Sequence, residues 1–173
     1  MELVLCKKEE DYEKFILFFL RNRNIFSNDY SLLEAVGSLY IMMGETNIVN
    51  FINDEGEIIA AICYSYGTRE NNFEDKHIVF VDCAIIEKQY QGSLVFVRYF
   101  QQWIKYLERE DEKPEEIQFH AHRHHKYVHR LYNKFAKVIG EAEDQFGIKD
   151  VFSVEYDRLV AYLDRFNREK VYK

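Results

Sequence analysis

The sequence predicts an α+β fold in which a mixed sheet is covered by helices. Three observations carry that expectation. The apolar residues change period along the chain, from helical spacing to β-branched and aromatic runs and back again. The elements so marked follow the order β-α-α-β-β-β-α-β-α-β-β, closed by a C-terminal helix, which is neither a repeat nor a bundle. The chain has 173 residues, of which 47% are apolar and 31% charged, with one proline and seven glycines. That is enough to bury the core of one domain, with little room for a linker.

The first strand is the short run Leu3-Val4-Leu5, and Asp11 is expected to cap the helix after it. Glu13 suits the positive end of that helix, and the run Phe15 to Leu20 predicts a helix buried around much of its girth. Ser31 and Glu34 form a capping box for a second helix reaching about Met42. Its expected apolar face is Leu32, Leu33, Val36, Leu39 and Tyr40, and Gly44 is expected to end it. Asn47 to Asn53 and Glu57 to Tyr66 flank Asp54-Glu55-Gly56 and read as a hairpin. Gly67 to Lys76 is a polar loop. His77 to Ile86, the most apolar strand, is expected at the centre of the sheet with all but Asp82 buried.

Ser93 can cap a third helix marked by Phe96, Tyr99, Phe100, Trp103 and Leu107. The acidic run Glu108 to Glu116, interrupted by Lys113 and Pro114, reads as a solvated loop. Glu116 to Arg123 is a strand, and Val128, Leu131, Tyr132 and Phe135 mark a fourth helix. Lys137 to Glu143 and Asp150 to Tyr156 read as strands, and Arg158 to Arg168 as the closing helix. The expected division is a domain over residues 1–156 and a C-terminal helix, 157–173, packed on it.

The net charge of −7 argues against general nucleic-acid binding, which needs a basic face. The longest apolar runs are far too short for a membrane span, and no leader pattern opens the chain. Three cysteines make an odd number without a CxxC pair, and Cys63 and Cys83 lie in apolar stretches. A reducing cytoplasm is the expected location.

Two local motifs, with the element order, resemble the GNAT superfamily of acyl-CoA-dependent N-acyltransferases over about Met1 to Tyr156. The first is the strand Val79 to Ile86, the turn Glu87-Lys88-Gln89-Tyr90-Gln91-Gly92-Ser93 and the third helix. It is similar to the family's strand-loop-helix carrying Q/R-x-x-G-x-G/A, with Leu94 and Phe96 where small residues are usual. The second is Leu131-Tyr132-Asn133-Lys134-Phe135-Ala136-Lys137-Val138-Ile139-Gly140-Glu141, similar to L-Y-x-K-x-G-F-x-x-x-G-E with one residue fewer.

The resemblance implies a mixed, mostly antiparallel sheet and acetyl transfer from acetyl-CoA to a primary amine by direct attack. It implies that backbone N–H groups of Gln91, Gly92, Ser93 and Leu94, backed by a helix N-terminus, hold the donor's pyrophosphate. A backbone N–H near Ile85 or Ile86 would polarise the thioester carbonyl. Tyr132 would protonate the departing thiolate as a general acid. Asp82, in an otherwise apolar strand, or His120 would take the proton of the acceptor ammonium.

Five of the six histidines fall in ten residues, at His120, His122, His124, His125 and His129. His120 and His122 share one strand face, where one of them can line an acceptor groove; without cysteines or an H-E-x-x-H spacing, no metal is expected. His125 stands where the family often has asparagine. The acceptor is expected to be an amine-bearing small molecule or peptide. The aromatic-rich segment Val151 to Phe166 offers a surface for a homodimer. The competing reading is an inactive GNAT-like domain that binds a protein partner or another small ligand, favoured by Leu94 and Phe96.

Overall fold

The computed structural model describes residues 2–25, 30–91, 94–110 and 113–168. Its elements are β1 (Glu2–Leu5), α1 (Glu9–Asn22), α2 (Leu32–Glu45), β2 (Asn47–Ile52), β3 (Ile58–Tyr66), β4 (Ile78–Ile86), α3 (Val95–Leu107), β5 (Glu116–His122), α4 (Lys126–Tyr132), β6 (Lys137–Asp144), β7 (Gly147–Glu155) and α5 (Tyr156–Arg168). The strands form a mixed, mostly antiparallel sheet in the order β1-β2-β3-β4-β5-β7-β6, so β4 is central, as expected. β4 and β5 run parallel, in register from Ile78↔Glu116 to Val81↔Phe119. No helix among the described residues is long and apolar enough to cross a membrane.

The chain divides into two compact units. The first comprises Met1–Ser65 and Asp82–Tyr99. Here α1 starts earlier than the sequence suggests. Asp11 is not the cap but lies in the first turn, where its carboxylate accepts from the N–H groups of Lys7 and Lys8 at 3.2 and 3.1 Å. Only one side of α1 is buried, through Phe15, Phe18 and Phe19, while Leu17 is exposed. The capping box of α2 forms as read: Glu34 N–H donates to Ser31 Oγ, and Ser31 N–H to the Glu34 carboxylate. Its inner face, however, is Ala35, Leu39 and Met42. Leu32, Leu33, Val36 and Tyr40 face solvent, a correction to the expected core face. Gly44 lies inside this helix, which ends at Glu45.

β2 and β3 pair antiparallel from Asn47↔Tyr64 to Ile52↔Ile58, with a bulge at Phe51/Ile52. The Phe51 ring packs on Tyr99, 4.7 Å between centroids.

The second unit comprises Tyr66–Val81 and Phe100–Lys173. β5 pairs antiparallel with β7, placing Phe119 opposite Phe152 with their rings stacked at 5.8 Å. Trp103, Ile104 and Leu107 of α3 are fully buried, as are Tyr156, Leu159 and Leu163 of α5. The Tyr156 hydroxyl, inside this core, donates to Ile104 O at 3.1 Å. α4 ends at Tyr132, so Phe135 packs from the turn beyond the helix rather than within it.

The loop after β3 is a tied structure. Asp75 accepts from Thr68 N–H and Thr68 Oγ, both at 2.7 Å, and from Asn71 Nδ2 at 2.8 Å. Desolvation opposes its ionisation, but these donors outweigh it and hold the carboxyl at about 2. The loop also needs Gly67, whose φ is +85°; a Cβ there would meet the Phe73 backbone at 2.7 Å. Gly67→Ala is therefore expected to destabilise the fold by about 3 kcal/mol, combining left-handed strain with a clash against atoms that cannot rotate away. Chemical denaturation of the two proteins measures it, and a loss below about 0.5 kcal/mol would reject the account.

Candidate functional site

β4 alternates. Val79, Val81, Cys83 and Ile85 are buried, while Phe80, Asp82, Ala84 and Ile86 are only half-buried. The expectation of a wholly buried strand holds for one face. Asp82 stands on the other, so its desolvation is partial. A strand packed on both faces need not be equally packed on both, and period-2 sequence cannot distinguish the two when every residue is apolar.

Past β4 the chain makes a 3₁₀ turn, with Tyr90 N–H donating to Glu87 O and Gln91 N–H to Lys88 O. Gln91 Nε2 donates to Ile86 O at 3.1 Å, tying the turn to the strand end. The Gln91 N–H is bonded inside the turn, and its side chain secures Ile86. Gly92 and Ser93, including the expected cap, lie outside the described residues. Leu94 O accepts the first helical bond, from Arg98 N–H at 3.1 Å. The Leu94 side chain is half in solvent, at 49% exposure, rather than packed into the turn. The first turn of α3 contains no carboxylate, and Arg98 is exposed in the next turn. A 13-residue helix end of this composition suits an anion, since its first N–H groups have no acceptor within the helix.

In the second unit, β5 sorts the remaining candidates by face. Phe119 and Ala121 point to the buried side. On that side the Tyr132 ring stands edge-on to Phe119 at 4.4 Å and packs on Phe152 and Phe135 at 5.5 and 6.0 Å. This aromatic cradle fixes the phenol at the C-terminal end of α4. His129 lies against Phe152 at 5.2 Å and within 3.3 Å of Ala121 O. His125 is the residue that caps α4, and its Nδ1 is buried without a hydrogen-bond partner.

His120 and His122 point to the opposite face of β5, away from Tyr132. His120 lies against Phe80 at 5.6 Å. Burial, reinforced by the positive charge of Lys149, lowers its pKa from 6.5 to about 4. It is neutral at physiological pH. His122 Nε2 is 3.0 and 3.2 Å from the two oxygens of Asp144. Asp144 also pairs with Lys149 Nζ at 3.0 Å and accepts from Phe146 N–H at 2.9 Å. Burial works against the ionisation of Asp144, yet these donors prevail and hold it at about 2. His124 stacks on His122 at 5.3 Å.

Sequence reasoning did not single out Asp144 and Lys149. The register His122↔Lys149 exists because β7 inserts between β5 and β6, and no local pattern announces that order. Among the described residues no group of three His, Cys, Asp or Glu side chains is arranged to hold a metal ion.

No protein-family model matches the chain, and no curated protein matches its sequence. Solved structures do. Ribosomal-protein-S5-alanine acetyltransferase from Vibrio fischeri is 18% identical, with a TM-score of 0.62 over 90% of this chain and 92% of that one. A variant of spermidine N-acetyltransferase from Vibrio cholerae is 13% identical, with a TM-score of 0.63 over 92% and 98%. An acetyltransferase of the GNAT family from Streptococcus pneumoniae is 15% identical, with a TM-score of 0.59 over 89% and 99%. Element order, sheet order and near-complete coverage of those chains agree: this chain has the fold of the GNAT acetyltransferases.

Proposed function

We propose that the protein is an N-acetyltransferase that moves an acetyl group from acetyl-CoA to a primary amine of a small molecule or peptide. The observation that carries this reading is the likeness of nearly the whole chain to solved acetyltransferases. The acetyl-CoA pyrophosphate is assigned to the N-terminal turn of α3, with Gly92, Ser93 and Leu94 before it and Arg98 beside it. An N–H at Ile85 or Ile86 polarises the thioester carbonyl. The amine attacks that carbon, the C–S bond breaks, and Tyr132 gives its proton to the thiolate.

Asp82 or His120 takes the proton released by the ammonium. His120, with its pKa of about 4, suits a neutral hydrogen-bond acceptor better than a proton carrier. His122 is the strand histidine held against a carboxylate, its Nε2 3.0 Å from Asp144. The three described thiols, Cys6, Cys63 and Cys83, are buried and unbridged, which suits a reducing cytoplasm.

Acetyl-CoA at 100 times its dissociation constant is expected to stabilise the fold by about 2.7 kcal/mol. For a domain of this size that is a melting shift of about 5–10 °C. Thermal melts with acetyl-CoA measure it, paired with thiol release in the presence of polyamines, amino acids and peptide N-termini. A shift and amine-dependent thiol release support the reading; no shift at millimolar donor returns the chain to the inactive, ligand-binding alternative.

A further inference from the structure

The outer side of α2 is apolar from end to end. Leu33 and Tyr40 are 82% and 80% exposed, and Leu32, Val36, Ile41 and Met43 are exposed beside them. Together these six side chains present on the order of 700 Å², above the roughly 300–600 Å² of the largest patch on a typical monomer. The only charges on the helix are Glu34 in its first turn and Glu45 at its end.

Down the middle of this face, at helical spacing, run Leu33, Gly37, Tyr40 and Gly44. Large and small residues alternate. Both glycines lie within the helix, where glycine is less favourable than alanine. A Cβ at either would meet nothing within 4 Å, so no contact among the described residues calls for them.

We propose that α2 is a self-association surface, on which a second copy of the chain packs its own α2 antiparallel to the first. The row is self-complementary in one register. With the twofold axis between Ser38 and Leu39, Leu33 of each copy faces the other's Gly44, and Tyr40 faces the other's Gly37. Each knob meets a notch, as an isologous contact requires. The notches also let the two axes approach to the separation of about 8–10 Å at which helices pack ridge into groove. Two such faces hide on the order of 1,200–1,400 Å², enough for a stable interface. A lipid surface is the poorer occupant, because the helix has no Lys or Arg and the chain carries −7.

Sedimentation velocity at concentrations up to about 100 µM tests this. The native chain is expected to sediment as a dimer of the 20.9 kDa protomer. Leu33→Glu combined with Tyr40→Glu is expected to be monomeric with an unchanged circular dichroism spectrum. Gly37→Ala is expected to raise the melting temperature of dilute monomer yet weaken the dimer about tenfold.

A thiol-specific cross-linker checks the register, since the native thiols are buried. In the proposed pairing the two copies of position 37 are offset along the axis by about 4.5 Å and those of position 44 by about 17 Å. A short bismaleimide should therefore join Gly37→Cys and not Gly44→Cys. A native chain that stays monomeric, including one that floats with zwitterionic vesicles instead, overturns the proposal. So does a dimer that survives the double glutamate variant, or equal cross-linking at 37 and 44.

Discussion

Tyr132→Phe is expected to lower turnover by about 10²–10⁴-fold while leaving the affinity for acetyl-CoA nearly unchanged. The substitution removes one oxygen and keeps the ring. The packing that fixes that ring is aromatic, on Phe119, Phe135 and Phe152, so phenylalanine fits the same cradle. What is lost is the proton for the departing sulfur, which must then leave as the bare thiolate without general-acid help. Steady-state kinetics with calorimetric titration of the donor separates the two effects. A variant with full turnover would remove Tyr132 from the mechanism, and one that loses donor affinity in equal measure would make it a binding residue.

The second large effect concerns acid stability and is centred on His120. In the folded protein His120 takes a proton only near pH 4, against about 6.5 in the unfolded chain. Between these values the unfolded chain holds more protons, so lowering the pH favours unfolding. The contribution of His120 is complete above about pH 6.5, declines below it and is gone beneath about pH 4. The displacement corresponds to about 3 kcal/mol at most. The charges around it are Lys149, Arg69 and His122, which oppose protonation, and Asp144, which favours it. Below that window the slope continues through Asp144, whose depressed pKa of about 2 makes its pairing stabilise the fold only while it is ionised. His120→Phe keeps the contact with Phe80 and cannot titrate, so its stability should be flatter between about pH 6.5 and 4. Denaturant melts across that range decide it; equal slopes in both proteins would show that His120 is not the group responsible.

Much of the architecture is determined by the sequence alone, because it depends on signals local to each element. The capping box at Ser31 and Glu34, the hairpin around Asp54-Glu55-Gly56 and the apolar run of β4, interrupted only by Asp82, each place an element without reference to the rest of the chain. Element order then narrows the fold to a helix-covered mixed sheet. The tyrosine of the second motif is also legible, since its neighbours Leu131 and Phe135 mark an inner face.

What only the tertiary structure decided is which side of each element meets a partner. α2 is apolar on its outer as well as its inner side, so its periodicity could not tell the buried side, Ala35, Leu39 and Met42, from the exposed row of Leu33 and Tyr40. Likewise, His120 and His122 read alike in a strand. They part because β7 brings Lys149 and the β6–β7 hairpin brings Asp144, one histidine being left neutral against Phe80 while the other is held by a carboxylate. Those partners lie more than twenty residues away in the chain, and strand order, a property of the whole sheet's packing, is what joins them.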